Sequence, residues 1–377
     1  MRILLLPFLF ITHLACAQSF DELRASASAN LKKKDYCAAL TDLKAAFTKK
    51  SALTAYDYLS GVSAAANCND TSLALKWLKA SYDGGLGKDQ SEIAYLENNE
   101  SFKPLAATAA FQDILKRMKD RLAAKEKQQQ EAADAWKKAI VRHQVPAGTP
   151  FQQAPEGFAL YFTEAEGQQV PYVVYIPKGY DPSKRYPAIV YLHGGVNAVS
   201  DYYFNNPDVG KEPIFGVGEQ FHSIIIYPFA KKDFGWVNQQ KAFENIFNVV
   251  KSVRERYNVD SARMFLGGMS NGGSATFWFA SQPGTPFRAF YAFAASPMLK
   301  IGEITFSNIT AAHPLYTIHS KEDQTYKYEE VLKIYNEQKD KAPGWKFETI
   351  EKGSHGFIYE PGIGPAVLSS FFSRLLK

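Results

Sequence analysis

With 377 residues the chain is long enough for two domains and a sizeable core. Hydrophobic residues make up 46% and charged residues 21%, a balance that argues against general disorder. The net charge of +5 is spread along the chain, and the lysines of residues 31–50 and 116–138 are interleaved with acids. They read as solvated helix faces, so no nucleic-acid groove is expected.

The chain opens Met1-Arg2, followed by an apolar run from Ile3 that ends at Ala15-Cys16-Ala17. One basic residue, a short apolar core and an A-x-A site predict a secretory signal peptide cleaved after Ala17, placing the protein outside the cell or in the periplasm. Cys16 raises lipoprotein anchoring, but His13 stands where a lipobox prefers leucine, which favours simple cleavage. The run is too short to span a bilayer, and no other stretch reaches about eighteen consecutive apolar residues, so no transmembrane segment is expected in the mature chain. Cleavage would leave Cys37 and Cys68. Either they bond, closing a loop worth about 3 to 4 kcal/mol, or they pack as two buried thiols.

Residues 20–143 lack strand alternation and are rich in alanine, leucine and lysine, which predicts helices and a helical domain over residues 18–145. Tyr36, Ala39, Leu43 and Ala46 are echoed 35 positions later by Thr71, Ala74, Leu78 and Ser81. The period resembles tetratricopeptide repeats, although Thr71 and Ser81 depart from the aromatic and the alanine expected; an unrelated set of helical hairpins is the alternative. Such a domain is a candidate surface for a protein partner. From Phe111 to Arg142 a charged, proline-free run predicts one long exposed helix acting as a stiff connector. Pro146, Gly148, Pro150 and Pro155 then place a boundary near residues 145–155, with a second domain over 150–377.

Beyond the boundary the pattern alternates. Strands are predicted at residues 158–163, 170–176, 188–192, 223–227, 263–266, 290–294, 315–318 and 346–350, with helices at 239–257, 274–282, 326–341 and 365–376. This rhythm predicts an α/β fold, a mostly parallel sheet flanked by helices, preceded by the all-α helical-repeat domain, with active residues at the C-terminal ends of the strands.

Gly268-Met269-Ser270-Asn271-Gly272 follows one of those strands and fits G-x-S-x-G at a strand-to-helix turn, which makes Ser270 the candidate nucleophile. A serine hydroxyl is weak at neutral pH and needs a base, an orienting acid and an oxyanion site. His355, between glycines after the last strand, is the candidate base. Asp323, beyond the preceding strand, is the candidate acid, with Glu322 as fallback. Leu192-His193-Gly194-Gly195 ends a strand in glycines, so the Gly195 and Asn271 amides are expected to face a developing oxyanion. His193 reads as packing for that loop, and His222, His313 and His319 as strand-end packing. No set of His, Cys, Asp or Glu has metal-ligand spacing, so no metal and no cofactor is expected.

Over residues 155–377 the chain resembles the α/β-hydrolase family, within it the secreted esterase and depolymerase-like branch, including Val174-Tyr175-Ile176-Pro177-Lys178-Gly179-Tyr180-Asp181 ahead of the His-Gly strand. The resemblance implies a serine hydrolase with Ser270, His355 and Asp323 as its triad. Ser320 departs from the glycine often found in H-G-x-x-D after the seventh strand. The reaction implied is cleavage of a small-molecule or polymeric ester. Tyr203 and Trp236, with Tyr202, Phe204 and Phe357 nearby, are candidates for an aromatic cleft that would take a sugar ring, a feruloyl group or a polyester, and core packing is the other reading. A serine peptidase with the same triad, or a non-catalytic binding protein using the helical repeats, are the alternatives.

Overall fold

The computed structural model describes residues 18–141, 145–147, 151, 156–299 and 303–377. The expected signal peptide, Cys16 included, lies outside the described residues, as do Gly148, Pro150 and Pro155. Two compact units are separated between Gln130 and Glu131. No helix among the described residues is long and apolar enough to cross a membrane.

The first unit is all helical: α1 (Phe20–Lys32), α2 (Tyr36–Phe47), α3 (Ala55–Asn67), α4 (Thr71–Asp83), α5 (Gln90–Asn98), the short α6 (Lys103–Ala106) and the first turns of α7 (Ala109–Val141). Five of these helices start on a side chain that accepts an amide of the first turn, namely Ser19, Asp35, Thr54, Asp70 and Asp89. The 35-residue echo marks equivalent places: Tyr36 and Thr71 open α2 and α4, and Ala39, Leu43, Ala46, Ala74, Leu78 and Ser81 are all buried. Small side chains there let neighbouring helices approach. A disulfide joins Cys37 in α2 to Cys68 at the end of α3, Cα atoms 5.0 Å apart. Of the two readings open for this pair, the bonded one holds.

In α7 residues 123–132 are exposed, whereas Trp136 and Ile140 are buried in the core of the second unit. The Trp136 indole donates to the Phe204 carbonyl at 2.7 Å. The division between units therefore falls inside this helix, ahead of Pro146.

The second unit continues with β1 (Gly157–Ala165), β2 (Gln168–Ile176), β3 (Tyr186–Leu192), α8 (Pro213–Gln220), β4 (Ile224–Pro228), α9 (Gln240–Arg254), β5 (Val259–Met269), α10 (Asn271–Ser281), β6 (Ala289–Phe293), β7 (Leu315–Ser320), α11 (Tyr328–Gln338), β8 (Trp345–Ile350) and α12 (Gly364–Leu375). The eight strands form one sheet in the order β1-β2-β4-β3-β5-β6-β7-β8. β2 is antiparallel to β1 and β4, and the rest pair in parallel. Period-two alternation divides each strand between two cores. Ala188, Val190 and Leu192 join Phe243, Ile246 and Val249 of α9 on one face, while Ile189 and Tyr191 join Phe215 of α8 and Phe372 of α12 on the other. With helices on both faces, this strand order is the α/β-hydrolase fold, and the parallel strands bring their C-terminal ends to one edge of the sheet.

Candidate active site

Four loops converge at that edge. β5 ends at Met269 and α10 begins at Asn271, leaving Ser270 alone in the turn with φ 54° and ψ −119°. A non-glycine residue rarely adopts this conformation, and it costs about 1 to 3 kcal/mol. The flanking contacts impose it: the Ser270 amide donates to the Phe293 carbonyl at 3.0 Å, and its carbonyl accepts the Ser274 amide at 2.8 Å. The glycines on either side are required by space. A Cβ on Gly268 would lie 2.2 Å from the Leu192 carbonyl oxygen and one on Gly272 only 1.8 Å from it, so any side chain there would drive α10 off β3.

The Ser270 hydroxyl donates to Nε2 of His355 at 2.9 Å, and Nδ1 of the same ring donates to Oδ2 of Asp323 at 2.9 Å. Asp323 is 2% exposed. Its other oxygen accepts the amides of Thr325 and Tyr326 at 2.8 and 3.0 Å, which fixes the carboxylate and leaves Oδ2 for the imidazole. His355, with 22% of its side chain exposed, closes the series toward solvent. The Ser, Asp and His predicted from the sequence are thus brought together in one hydrogen-bonded line.

Glu322, the fallback acid, has a different place. Its carboxylate accepts the Gly353 amide at 2.8 Å, tying the turn after β7 to the loop that carries His355. Ser320 reinforces the same link, because its hydroxyl donates to the Gly353 carbonyl and accepts the Glu322 amide. The serine standing where glycine is common is therefore a loop fastener.

His193 shapes the opposite wall. Its Nε2 accepts the Ala230 amide at 3.0 Å, so the ring is neutral with its proton on Nδ1, and that proton is donated to the Gly194 carbonyl at 2.7 Å. Burial holds the imidazole down at about 4, against the upward pull of the Gly194 carbonyl. Carbonyl and amide of one trans peptide point in opposite directions, so anchoring the Gly194 carbonyl also sets the direction of the Gly195 N–H. Asn271 links the two walls, its side-chain oxygen accepting the Val196 amide at 3.1 Å. Among the described residues neither the Gly195 nor the Asn271 amide donates to another backbone carbonyl, and both residues line the cavity above Ser270.

That cavity measures about 430 Å³ and is open to solvent. Tyr203 lines it together with Tyr326 and Tyr359. Trp236 does not. It is 1% exposed, its indole N–H donates to the His193 carbonyl at 3.1 Å, and its ring packs against the His193 ring, so it supports the loop from behind. Phe357 is likewise buried in the core. Sequence reasoning missed Glu212, which lines the cavity half-buried. Burial pushes its carboxyl up, while hydrogen bonds from Tyr359 and Tyr227 pull the other way. Among the described residues no group of three or more His, Cys, Asp and Glu side chains is placed to hold a metal.

Residues 232–301, which include Ser270, match the Prolyl oligopeptidase family. A serine turn in this fold, in line with a histidine and an aspartate, is the arrangement of a serine hydrolase. No curated protein matches it. Among solved structures the chain is similar to a thermostable esterase, 19% identical over 58% of this chain and 60% of that one with a TM-score of 0.43. It is similar to the Pyrococcus horikoshii acylaminoacyl peptidase, at 18% over 59% and 42% with a TM-score of 0.45. It also resembles Thermogutta terrifontis esterase 2, at 16% over 59% and 95% with a TM-score of 0.47. The chain spans less than two thirds of the first two of these proteins. The strand order by itself defines the fold.

Proposed function

We propose that this protein is a serine hydrolase that cleaves carboxylic esters through an acyl-enzyme on Ser270. His355 takes the hydroxyl proton as Ser270 attacks the ester carbonyl, Asp323 stabilises the imidazolium that forms, and the amides of Gly195 and Asn271 receive the oxyanion. His355 then returns the proton to the leaving alcohol, and water, activated by the same imidazole, releases the acid. The observation that carries this reading is the unbroken 2.9 Å series from Ser270 through His355 to Asp323, opening on a cavity lined by Gly195 and Asn271, whose amides donate to no backbone carbonyl among the described residues. A volume of about 430 Å³ suits a compact acyl or aryl group. Peptide bonds are the second substrate class, supported by the family match over residues 232–301.

The test is turnover of short-chain nitrophenyl esters and of a peptide anilide by the purified protein beside Ser270→Ala. Ester turnover that falls about ten-thousand-fold or more in the variant, with little anilide cleavage, is the expected result. Equal activity in both proteins would remove Ser270 from the reaction, and preferential anilide cleavage would replace the ester with a peptide. Secretion is part of the same proposal. The bond between Cys37 and Cys68 supports it, since disulfides persist in oxidising compartments.

A further inference from the structure

Among the residues lining the cavity, Glu212 alone is acidic, and the reaction proposed above does not use it. Its position is unusual. It occupies the N-cap of α8, yet its side chain makes no capping hydrogen bond. The carboxylate turns instead to the cavity, where Oε1 accepts the Tyr227 hydroxyl at 3.3 Å and Oε2 accepts the Tyr359 hydroxyl at 2.9 Å. The Tyr203 and Tyr227 hydroxyls lie 3.1 Å apart, so Tyr203 extends the chain of phenols toward the same group.

None of these partners carries a positive charge. The neighbouring Lys211 is spent on Asp208 at 2.7 Å, with three quarters of its side chain exposed. Among the described residues no lysine, arginine or histidine forms an ion pair with Glu212, whereas other acids here, such as Asp57, Glu92 and Glu348, have a cationic partner. Two neutral donors hold the carboxylate in place and leave lone pairs on both oxygens. A partly desolvated anion fixed in a cleft without a counter-charge favours a cation arriving from solvent. Tyr203, Tyr326 and Tyr359 add aromatic rings to the same cavity, and these also favour a soft cation.

We propose that Glu212 is a specificity-determining residue that binds an ammonium group on the acyl or alcohol part of the substrate. The preferred substrates are then esters carrying a positive charge close to the scissile bond. The inference rests on the reading of Ser270 as nucleophile.

Two matched pairs test it. S-butyrylthiocholine beside S-(3,3-dimethylbutyl) thiobutyrate places the charge on the leaving-group side, and nitrophenyl 6-aminohexanoate beside nitrophenyl heptanoate places it on the acyl side. Each pair is equal in size and differs in charge. The wild-type protein should prefer the cationic member of at least one pair by about 10- to 100-fold in kcat/KM, the range of a hydrogen-bonded primary ammonium or of a quaternary ammonium held by a desolvated charge and aromatic rings, and should lose that preference as salt is raised. In Glu212→Gln the ratio should fall toward one. Both members of a pair are measured on the same sample, so a poorly folded fraction cancels from the ratio. Ratios at or below one in both wild-type pairs would overturn the inference, as would a preference that Glu212→Gln retains. Turnover of the neutral esters that a sulfonyl fluoride abolishes, with flat ratios, would remove the role of Glu212 and leave the hydrolase reading intact. A wild-type protein inert on all four substrates would overturn both.

Discussion

Asp57 in the helical unit and Asp323 in the α/β unit are buried to nearly the same degree, at 3% and 2% exposure, and their partners differ in kind. The Thr54 amide and hydroxyl close a cap on Asp57, and Arg24 and Lys50 stand 3.6 and 3.5 Å from it. Burial pushes its carboxyl up, but the Thr54 hydrogen bonds and the two cations outweigh that and hold it below its usual value. Its charge is already answered in the resting fold. Asp323 is held by two amides of its own turn and, among the described residues, pairs with no lysine or arginine. Its other oxygen accepts from the His355 imidazole, 32 residues away, at 2.9 Å, with Nε2 of His319 3.4 Å from the same atom. A buried acid that is fully compensated at rest serves stability, whereas one reserved for a group that becomes charged during a reaction serves catalysis.

Breaking each side of this comparison should give effects of different size and type. Asp323→Asn is expected to lower kcat/KM for esters about ten-thousand-fold while the thermal midpoint stays near wild type, because the imidazole loses its orienting acceptor and its counter-charge. Steady-state kinetics beside calorimetry checks both halves. Removing the disulfide by Cys37→Ser with Cys68→Ser should cost the helical unit about 3 to 4 kcal/mol, read as faster hydrogen exchange in α2 and α3, with no change at the active site.

His193 gives a pH-dependent break. In the unfolded chain it binds a proton near 6.5, and in the folded protein only at about 4. Between those values the unfolded state binds more protons, so this contribution is full above about pH 6.5 and is lost as pH falls toward 4, amounting to about 3 kcal/mol. Urea midpoints across that window should fall with pH in the wild type and flatten in His193→Asn. The smallest effect belongs to Asp57→Asn, expected to cost about 1 to 2 kcal/mol in the helical unit and to leave ester kcat/KM within about twofold. A large rate loss in that variant would erase the distinction drawn between the two acids.

Much of the site was legible in the sequence because its residues stand where strands end, and strands with two buried faces announce themselves by length and composition. Ser270 was marked further by glycines that the approach of α10 to β3 makes obligatory. Glu322 and Asp323 are adjacent acids that satisfy the same spacing. The turn after β7 decides between them, its amides at Thr325 and Tyr326 aiming Asp323 at His355 while Glu322 is drawn to Gly353. Trp236 is close to the site in sequence terms, but the His193 carbonyl pulls its indole inward, and no pattern encodes that direction. Glu212 was hidden by α8, an eight-residue helix carrying Pro213, Gly216 and Gly218, too short and too broken to show a helical period.

The central claim is that Ser270 is activated by the His355–Asp323 pair, and labelling tests it most directly. The wild-type protein and His355→Ala would each be treated with a serine-directed sulfonyl fluoride, and the adduct mapped by peptide mass spectrometry. One equivalent on Ser270 in the wild type, and essentially none in His355→Ala over the same time, is the predicted result. An unlabelled Ser270, or equal labelling in both proteins, would contradict the account.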